Sequence, residues 1–199
     1  MAPESSAPGL WDAAGWLHEA RRVDSPNFDA RPVGETVRLL VIHAISLPPN
    51  QFGGGEVEAF FTNQLQTAAH PFFEQIATLK VSAHFYIQRT GALTQFVSAD
   101  QRAWHAGVSM WQGRERCNDF SIGVELEGCD TCGFTKAQYQ RLAKLAAVLQ
   151  TRYPIEAIKG HADIAPGRKT DPGPFFDWLR LRRLLRQNTA QQLHPSQAA

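Results

Sequence analysis

The segment Val37–Ile45, V-R-L-L-V-I-H-A-I, most narrows the folds open to this chain. It is a nearly continuous apolar run of strand length, and a strand without a polar face must be covered on both sides. That requirement points to the central strand of an α/β sheet. His43 lies near the C-terminal end of the run, where open α/β sheets gather their ligands and a side chain can leave the core. Standing alone, His43 reads as a core histidine satisfied by a backbone carbonyl.

The other segments supply the rest of such a fold. Leu10–Arg22 places Leu10, Ala13, Ala14 and Leu17 at helical spacing, which predicts a short amphipathic helix, and Ser25–Gly34 reads as loop. Leu47–Gly55, with P-P-N and G-G-G, predicts a loop wide enough to rim a cleft. Glu56–Ala69 follows as a helix with Val57, Phe60, Phe61, Leu65 and Ala68 on one face. Val81–Ile87 and Ala92–Val97 read as strands joined through Arg89-Thr90-Gly91 in a hairpin. In Ser121–Glu127, Ile122, Val124 and Leu126 share one face while Ser121, Gly123, Glu125 and Glu127 share the other. Thr135 opens a helix with the T-x-x-Q pattern of a capping box, running to Tyr153-Pro154, and Phe175–Arg186 forms a last helix that Pro174 can start. The order predicts an α/β domain over residues 10–187, a mixed central sheet of about five strands flanked by helices, with flexible ends at 1–9 and 188–199.

Charge and cysteine usage narrow the partners and the compartment. Twenty basic and 19 acidic side chains leave a net charge of +1, too little for a broad footprint toward nucleic acid or an anionic membrane, so a small-molecule partner and a monomer are expected. No run approaches the roughly 18 apolar residues of a membrane span, and M-A-P-E-S-S-A-P-G lacks the basic start and apolar centre of a secretory signal. Three cysteines argue against a disulfide framework and fit the reducing cytoplasm. Cys129 and Cys132 form a lone C-x-x-C, which on sequence grounds reads as incidental.

The chemistry concentrates in Lys159–Phe176, K-G-H-A-D-I-A-P-G-R-K-T-D-P-G-P-F-F, which has neither helical nor strand period and reads as a rigid polar loop. His161 and Asp171 can offer an imidazole and a carboxylate to one cation. A catalytic zinc usually takes three protein ligands and leaves a position for water, and His43 is the candidate third. Such an ion lowers the pKa of water from about 15.7 toward about 7, which makes hydrolysis the natural reaction. Glu125, on a strand aimed at the same cleft, is the candidate to orient the water and carry its proton to a leaving amine; Lys169 is the candidate to stabilise an oxyanion. Spacing alone assigns none of these roles. Glu125 and Glu127 on one strand face also fit a solvated edge or a metal-free glycosidase, since same-face neighbours lie roughly 7 Å apart, between the retaining and inverting separations. His84 and His105 are further candidate metal ligands, but they lie in or beside strands and read first as packed or substrate-facing; Gly123 leaves room beside Glu125 for another group. Trp104 in R-A-W-H-A-G suits a sugar as well as it suits core packing.

Five ordered motifs, V-I-H-A-I-S-L-P-P, V-S-A-H-F, R-A-W-H-A-G, G-R-E-R-C-N-D-F-S-I-G-V-E-L-E-G and G-H-A-D-I-A-P-G-R-K-T-D-P-G-P, resemble the AmpD-type anhydro-N-acetylmuramyl-L-alanine amidases of bacterial cell-wall recycling. The resemblance covers nearly everything from Trp16 to about Leu185. It implies the N-acetylmuramoyl-L-alanine amidase fold shared with peptidoglycan-recognition proteins, zinc on His43, His161 and Asp171, and catalytic roles for Glu125 and Lys169. The implied substrate is a cytoplasmic anhydromuropeptide, cut between the lactyl group of anhydromuramic acid and L-alanine. Arg116 would meet the peptide's carboxylates, with Lys80, Trp104 and Ala44 as further substrate-facing positions. Ala44 stands where the family usually has asparagine, Lys80 where it commonly has arginine, and Phe72 where tyrosine is more usual; these departures bear on substrate affinity. The same fold binds peptidoglycan without cutting it when a zinc ligand is missing, and here all three ligand types are present.

Overall fold

The computed structural model describes residues 9–193, so the expected flexible ends fall largely outside the described residues. Its strands are β1 (Arg21–Arg22), β2 (Phe28–Asp29), β3 (Leu39–Ile45), β4 (Phe85–Ile87), β5 (Leu93–Gln95), β6 (Arg102–Ala103), β7 (Met110–Trp111), β8 (Arg114–Glu115), β9 (Ser121–Glu127) and β10 (Ala157–Gly160). Its α-helices are α1 (Glu56–Phe61), α2 (Pro71–Ile76), α3 (Lys136–Arg152), α4 (His161–Ile164) and α5 (Trp178–Leu193). The central sheet has six strands in the order β1-β5-β4-β9-β3-β10, and β2·β6 and β7·β8 form two small antiparallel pairs. Within the central sheet only β4·β5, the expected hairpin, runs antiparallel.

Both faces of β3 are covered, as its apolar run requires. Leu40 and Ile42 join Ile122, Val124 and Leu126 of β9 beneath Leu142, Leu145 and Leu149 of α3 and Leu181 of α5. Leu39 and Val41 point the other way, toward Ala106, Phe120 and Ile164. A third cluster joins Phe60 and Phe61 of α1 and Phe73 of α2 to Tyr86 and Phe96. Helix α3 follows its sequence signature: the Thr135 hydroxyl accepts from Gln138 N–H at 3.1 Å while the Gln138 side chain accepts from Thr135 N–H at 3.0 Å.

Five local readings differ from the observed elements, the first two through contacts distant in sequence. Leu10–Arg22 is not helical; it forms turns, a Trp11–Leu17 bridge and the edge strand β1, which with β10 is one of two central-sheet strands the sequence did not place. Asp12 Oδ1 accepts from the N–H groups of Ala14 and Trp16, Gly15 is left-handed at φ 80°, and the Gln95 amide bonds Leu17 N–H and Gly15 C=O. Those bonds replace the i→i+4 ladder. The helix expected over Glu56–Ala69 stops at Phe61, because Asn63 turns left-handed (φ 60°) and exchanges amide hydrogen bonds with Asn27; only a 3-10 turn, Thr67–Ala69, follows. Helix α2, begun by Pro71 and capped by the His70 ring, carries no strong period and was not expected. In the loop expected over Lys159–Phe176, the first residues are instead the end of β10 and the single turn α4. The last helix starts at Trp178, not Phe175, where Asp177 Oδ1 caps Arg180 N–H at 2.9 Å, and it continues to Leu193, beyond the expected end at Arg186.

Candidate active site

The register of three adjacent parallel strands assembles the site at their C-terminal ends. His43 on β3 stands opposite Glu125 on β9, and Gly160, the last residue of β10, stands opposite Ile42. His161 therefore follows β10 directly beside His43, on the first turn of α4. The backbone N–H of Ala162 donates to the Asp171 carbonyl at 2.9 Å, which ties the proline-rich return to the same place. His43 and His161 are buried and Asp171 is largely so.

His43 Nδ1, His161 Nδ1 and Asp171 Oδ2 form a triangle with sides of 2.9, 3.1 and 3.1 Å. The surrounding hydrogen bonds determine which way the protons face. His161 Nε2 lies 3.0 Å from the Ala106 carbonyl, which only accepts, and 3.4 Å from the Arg168 guanidinium; the shorter contact places the proton on Nε2 and leaves Nδ1 a lone pair. On the His43 side the chain is longer. Ser121 Oγ donates to the Cys117 carbonyl at 2.5 Å, so it accepts from His105 Nε2–H at 3.1 Å; His105 Nδ1 then accepts from His43 Nε2–H at 2.9 Å. The assignment requires neutral rings, and burial lowers His43 to about 4 and His105 well below its ordinary value. Two lone pairs and a carboxylate thus converge with no proton among them, an arrangement that repels itself unless a cation sits at its centre. Donors around one tetrahedral zinc stand roughly 3.3–3.6 Å apart, so the triangle has to open by only a few tenths of an ångström. These three residues are the group among the described residues that could hold a metal ion.

A cleft of about 370 Å³ opens over this corner. His43, His105, Glu125, His161, Lys169 and Asp171 line one side; Phe60, Phe61, Phe72, Ile76 and Leu79 of α1, α2 and the following turn line the other. Ala44 also reaches the cleft, so the strand end presents both neighbours to it. Glu125 Oε2 is buried without a hydrogen-bond partner among the described residues. Burial first, and then the negative charge of Asp171, push Glu125 well above the usual carboxylate range. Lys169 is exposed at the rim.

The remaining candidates lie elsewhere or do other work. Glu127 is buried, with one carboxylate oxygen accepting from Gly53 N–H at 2.5 Å and the other from Arg89 N–H at 2.9 Å. It pins the rim loop to the sheet, and a carboxylate so engaged removes the Glu125/Glu127 glycosidase pair. Trp104 donates its indole N–H to Asp29 at 3.1 Å and Lys80 is exposed between cleft residues Leu79 and Val81; neither lines the cleft. Arg116, left-handed at φ 62° and 3.2 Å from Asp119, lines a neighbouring cavity with Arg168 instead. His84 is packed, its Nδ1 accepting from Gly123 N–H at 3.0 Å. His105 backs His43, a role the sequence left open, and its signal was Gly123: a Cβ there would lie 2.4 Å from the His105 ring. The aromatic wall and the Ala106 carbonyl left no such signal.

The N-acetylmuramoyl-L-alanine amidase family matches residues 33–174. The 1,6-anhydro-N-acetylmuramyl-L-alanine amidase AmpD of Citrobacter freundii is 57% identical over 181 residues, covering 90% of this chain and 97% of the relative. The Escherichia coli K12 protein of the same name is 59% identical over 177 residues, covering 88% and 97%. A crystal structure of a Se-Met AmpD derivative superposes with a TM-score of 0.86 at 59% identity, covering 89% of this chain and 99% of that one. The E. coli amidase AmiD, solved with anhydro-N-acetylmuramic acid-L-Ala-D-γ-Glu-L-Lys, superposes with a TM-score of 0.56 at 32% identity, covering 88% and 65%. With a shared fold and more than half of its residues identical to full-length relatives, the chain belongs to the N-acetylmuramoyl-L-alanine amidase family, among its AmpD-type members.

Proposed function

We propose that this amidase is zinc-dependent and cuts the amide between the lactyl group of anhydro-N-acetylmuramic acid and L-alanine in cytoplasmic anhydromuropeptides, in peptidoglycan recycling. The observation that carries the zinc reading is the triangle of His43 Nδ1, His161 Nδ1 and Asp171 Oδ2 at the cleft, with each imidazole hydrogen-bonded through its other nitrogen. His43, His161 and Asp171 would hold the ion, which when bound supplies Lewis acidity, polarising a carbonyl oxygen and acidifying water. The substrate class rests on the relatives, among which AmiD was solved with an anhydromuramyl peptide.

The chain's own groups divide the remaining work. Glu125 stands across the β3–β9 register from His43 with a buried oxygen that no protein donor satisfies. Its raised proton affinity suits a base that takes a proton from water near neutral pH and delivers it to the departing L-alanine nitrogen. The Lys169 ammonium, at the rim of the same cleft, stabilises the negative oxygen that develops on the lactyl carbon. The aromatic wall takes apolar substrate surface and excludes water from the corner. Ala44, Lys80, Trp104 and Arg116 are proposed to meet the sugar and peptide, Ala44 within the cleft, Lys80 and Trp104 from outside its lining and Arg116 from its neighbouring cavity. Among the described residues no helix is long and apolar enough to cross a membrane. We take the working form to be a cytoplasmic monomer.

Incubating the purified protein with an anhydromuropeptide, with and without chelator, and weighing the products tests this reading. A free peptide starting at L-alanine, formed only without chelator, is the expected result. A cut sugar, or full activity in chelator, overturns it.

A further inference from the structure

The C-x-x-C of the sequence lies at the rim of the cleft. It follows β9, the strand that carries Glu125, and Cys129 itself lines the cavity. Cys129 and Cys132 close one tight turn: Cys132 N–H donates to the Cys129 carbonyl at 3.3 Å, and Cys132 Sγ folds back to within 3.6 Å of the same oxygen. Both are free thiols and both are partly exposed, whereas Cys117 is buried. A four-residue turn holds its end Cα atoms closer than about 7 Å, the outer limit of what a disulfide spans.

The turn is clamped at both ends. On the sheet side, Gly128 N–H donates to the Ile45 carbonyl at 2.9 Å, and the Phe134 ring lies where a Gly128 Cβ would stand, at 2.4 Å. On the other side, Asp130, between the two cysteines, accepts from the Thr170 hydroxyl. The Asp130 backbone also packs against Gly173, where a Cβ would come within 2.7 Å of Asp130 Cα. Thr170 and Gly173 bracket Asp171 and follow Lys169. A change in the dithiol turn therefore reaches the segment that carries two of the proposed active-site groups.

We propose that Cys129 and Cys132 form a reversible oxidation site, responsive to hydroperoxides, whose disulfide lowers amidase activity. The two thiols are not equivalent. Partial burial opposes ionisation of Cys129, but hydrogen bonds from the Cys132 thiol and Thr131 lower it below its ordinary value; burial and the same thiol contact raise Cys132. Cys129 is the attacking sulfur. Its thiolate attacks the terminal peroxide oxygen, the O–O bond breaks, and the departing oxygen takes up the proton that the Cys129 thiol released and leaves as water (as the alcohol from an alkyl hydroperoxide), giving a sulfenic acid on Cys129. The Cys132 sulfur then attacks the Cys129 sulfur; the S–S bond forms, the S–O bond breaks, and the hydroxyl leaves with the Cys132 proton as a second water. Two thiols lose two electrons and one peroxide gains them. The disulfide draws the Cys129 sulfur toward Cys132 and shifts Asp130 against Thr170.

The thiol chemistry stands apart from the amidase reading, and only the effect on rate rests on it. Treating the zinc-loaded protein with stoichiometric hydrogen peroxide, alkylating and mapping peptides by mass should show Cys129 joined to Cys132 and Cys117 still reduced. Anhydromuropeptide turnover should fall several-fold and return with dithiothreitol. Cys132→Ser should stop at a sulfenic acid that dimedone traps, and Cys129→Ser/Cys132→Ser should not respond to peroxide. Absence of the intramolecular disulfide overturns the proposal, as does an equal loss of rate in the double variant. A disulfide that leaves the rate unchanged overturns the coupling to the cleft. If the reduced protein has no turnover at all, the amidase reading fails and the peptide map still decides the oxidation site.

Discussion

The two sides of the cleft are built on opposite plans. On the metal-facing side His43, His105 and His161 are aligned by hydrogen bonds that end on backbone carbonyls. On the facing side Phe60, Phe72, Ile76 and Leu79 come from two six-residue helices and the turn after them, with Phe72 and Ile76 partly exposed and Leu79 at 48% exposure. Rings held from behind by hydrogen bonds suit a reaction whose donors must be held to fractions of an ångström; short helices with apolar side chains suit a surface that takes substrate shape. Chemistry and recognition are thus separable by mutation, and four experiments test how far.

The largest effect is expected at the ligand set. His161→Ala removes one of three ligands, and both zinc content by elemental analysis and turnover should collapse, a loss of several kcal/mol of transition-state stabilisation. Full zinc occupancy in this variant would move the metal elsewhere and dissolve the contrast.

Next is Glu125→Gln, expected to keep zinc and lose about a hundred- to ten-thousand-fold in kcat. The same substitution has a signed consequence for stability. Burial raises the folded pKa of Glu125 above an unfolded value of about 4.3, so above that pH the folded metal-free protein keeps a proton the unfolded chain has released. Stability is then lost as pH rises, by about 1.4 kcal/mol per unit until the folded pKa is passed. Glu125→Gln should therefore stabilise the metal-free protein, increasingly from about pH 4.3 upward. His43, lowered to about 4, acts in the opposite direction as pH falls, but it is common to both proteins and cancels in the difference. Denaturant titrations of the pair across pH measure this; a flat difference would mean that Glu125 ionises freely.

His105→Phe probes the backing of the rigid side without touching a ligand. Loss of the Nε2–H···Nδ1 bond frees the His43 ring, and the expected cost is about ten- to a hundredfold in zinc affinity, read by competition with a chromogenic chelator. His105→Asn, which can still accept, should recover part of it. Unchanged affinity in His105→Phe would show that packing alone orients His43.

The smallest effect belongs to the recognition side. Ala44 lines the cleft but can neither donate nor accept, so Ala44→Asn should tighten anhydromuropeptide binding by about 1 kcal/mol, roughly fivefold, with zinc content unchanged. Calorimetry in a Glu125→Ala background, which spares the ligand, reads it out. A change in zinc content would join the two sides into one unit.

Val37–Ile45, Ser121–Glu127 and Thr135–Tyr153 were legible because alternation, apolar continuity and a capping box are properties of neighbouring residues. Their register then carried His43 and Glu125 to one cleft. The rest depended on partners distant in sequence. Leu10–Arg22 has helical spacing, yet the Gln95 amide, 78 and 80 residues from its partners Leu17 and Gly15, bonds the backbone that a helix would have used. Glu127 shares a strand face with Glu125, yet two backbone N–H groups from other loops turn it into a structural anchor. By itself the sequence determined which side chains could carry the chemistry, since residue type and local period are written into it. Only the tertiary structure decided which lone pair faces the cleft, because a histidine's proton goes to whichever acceptor the fold places behind the ring.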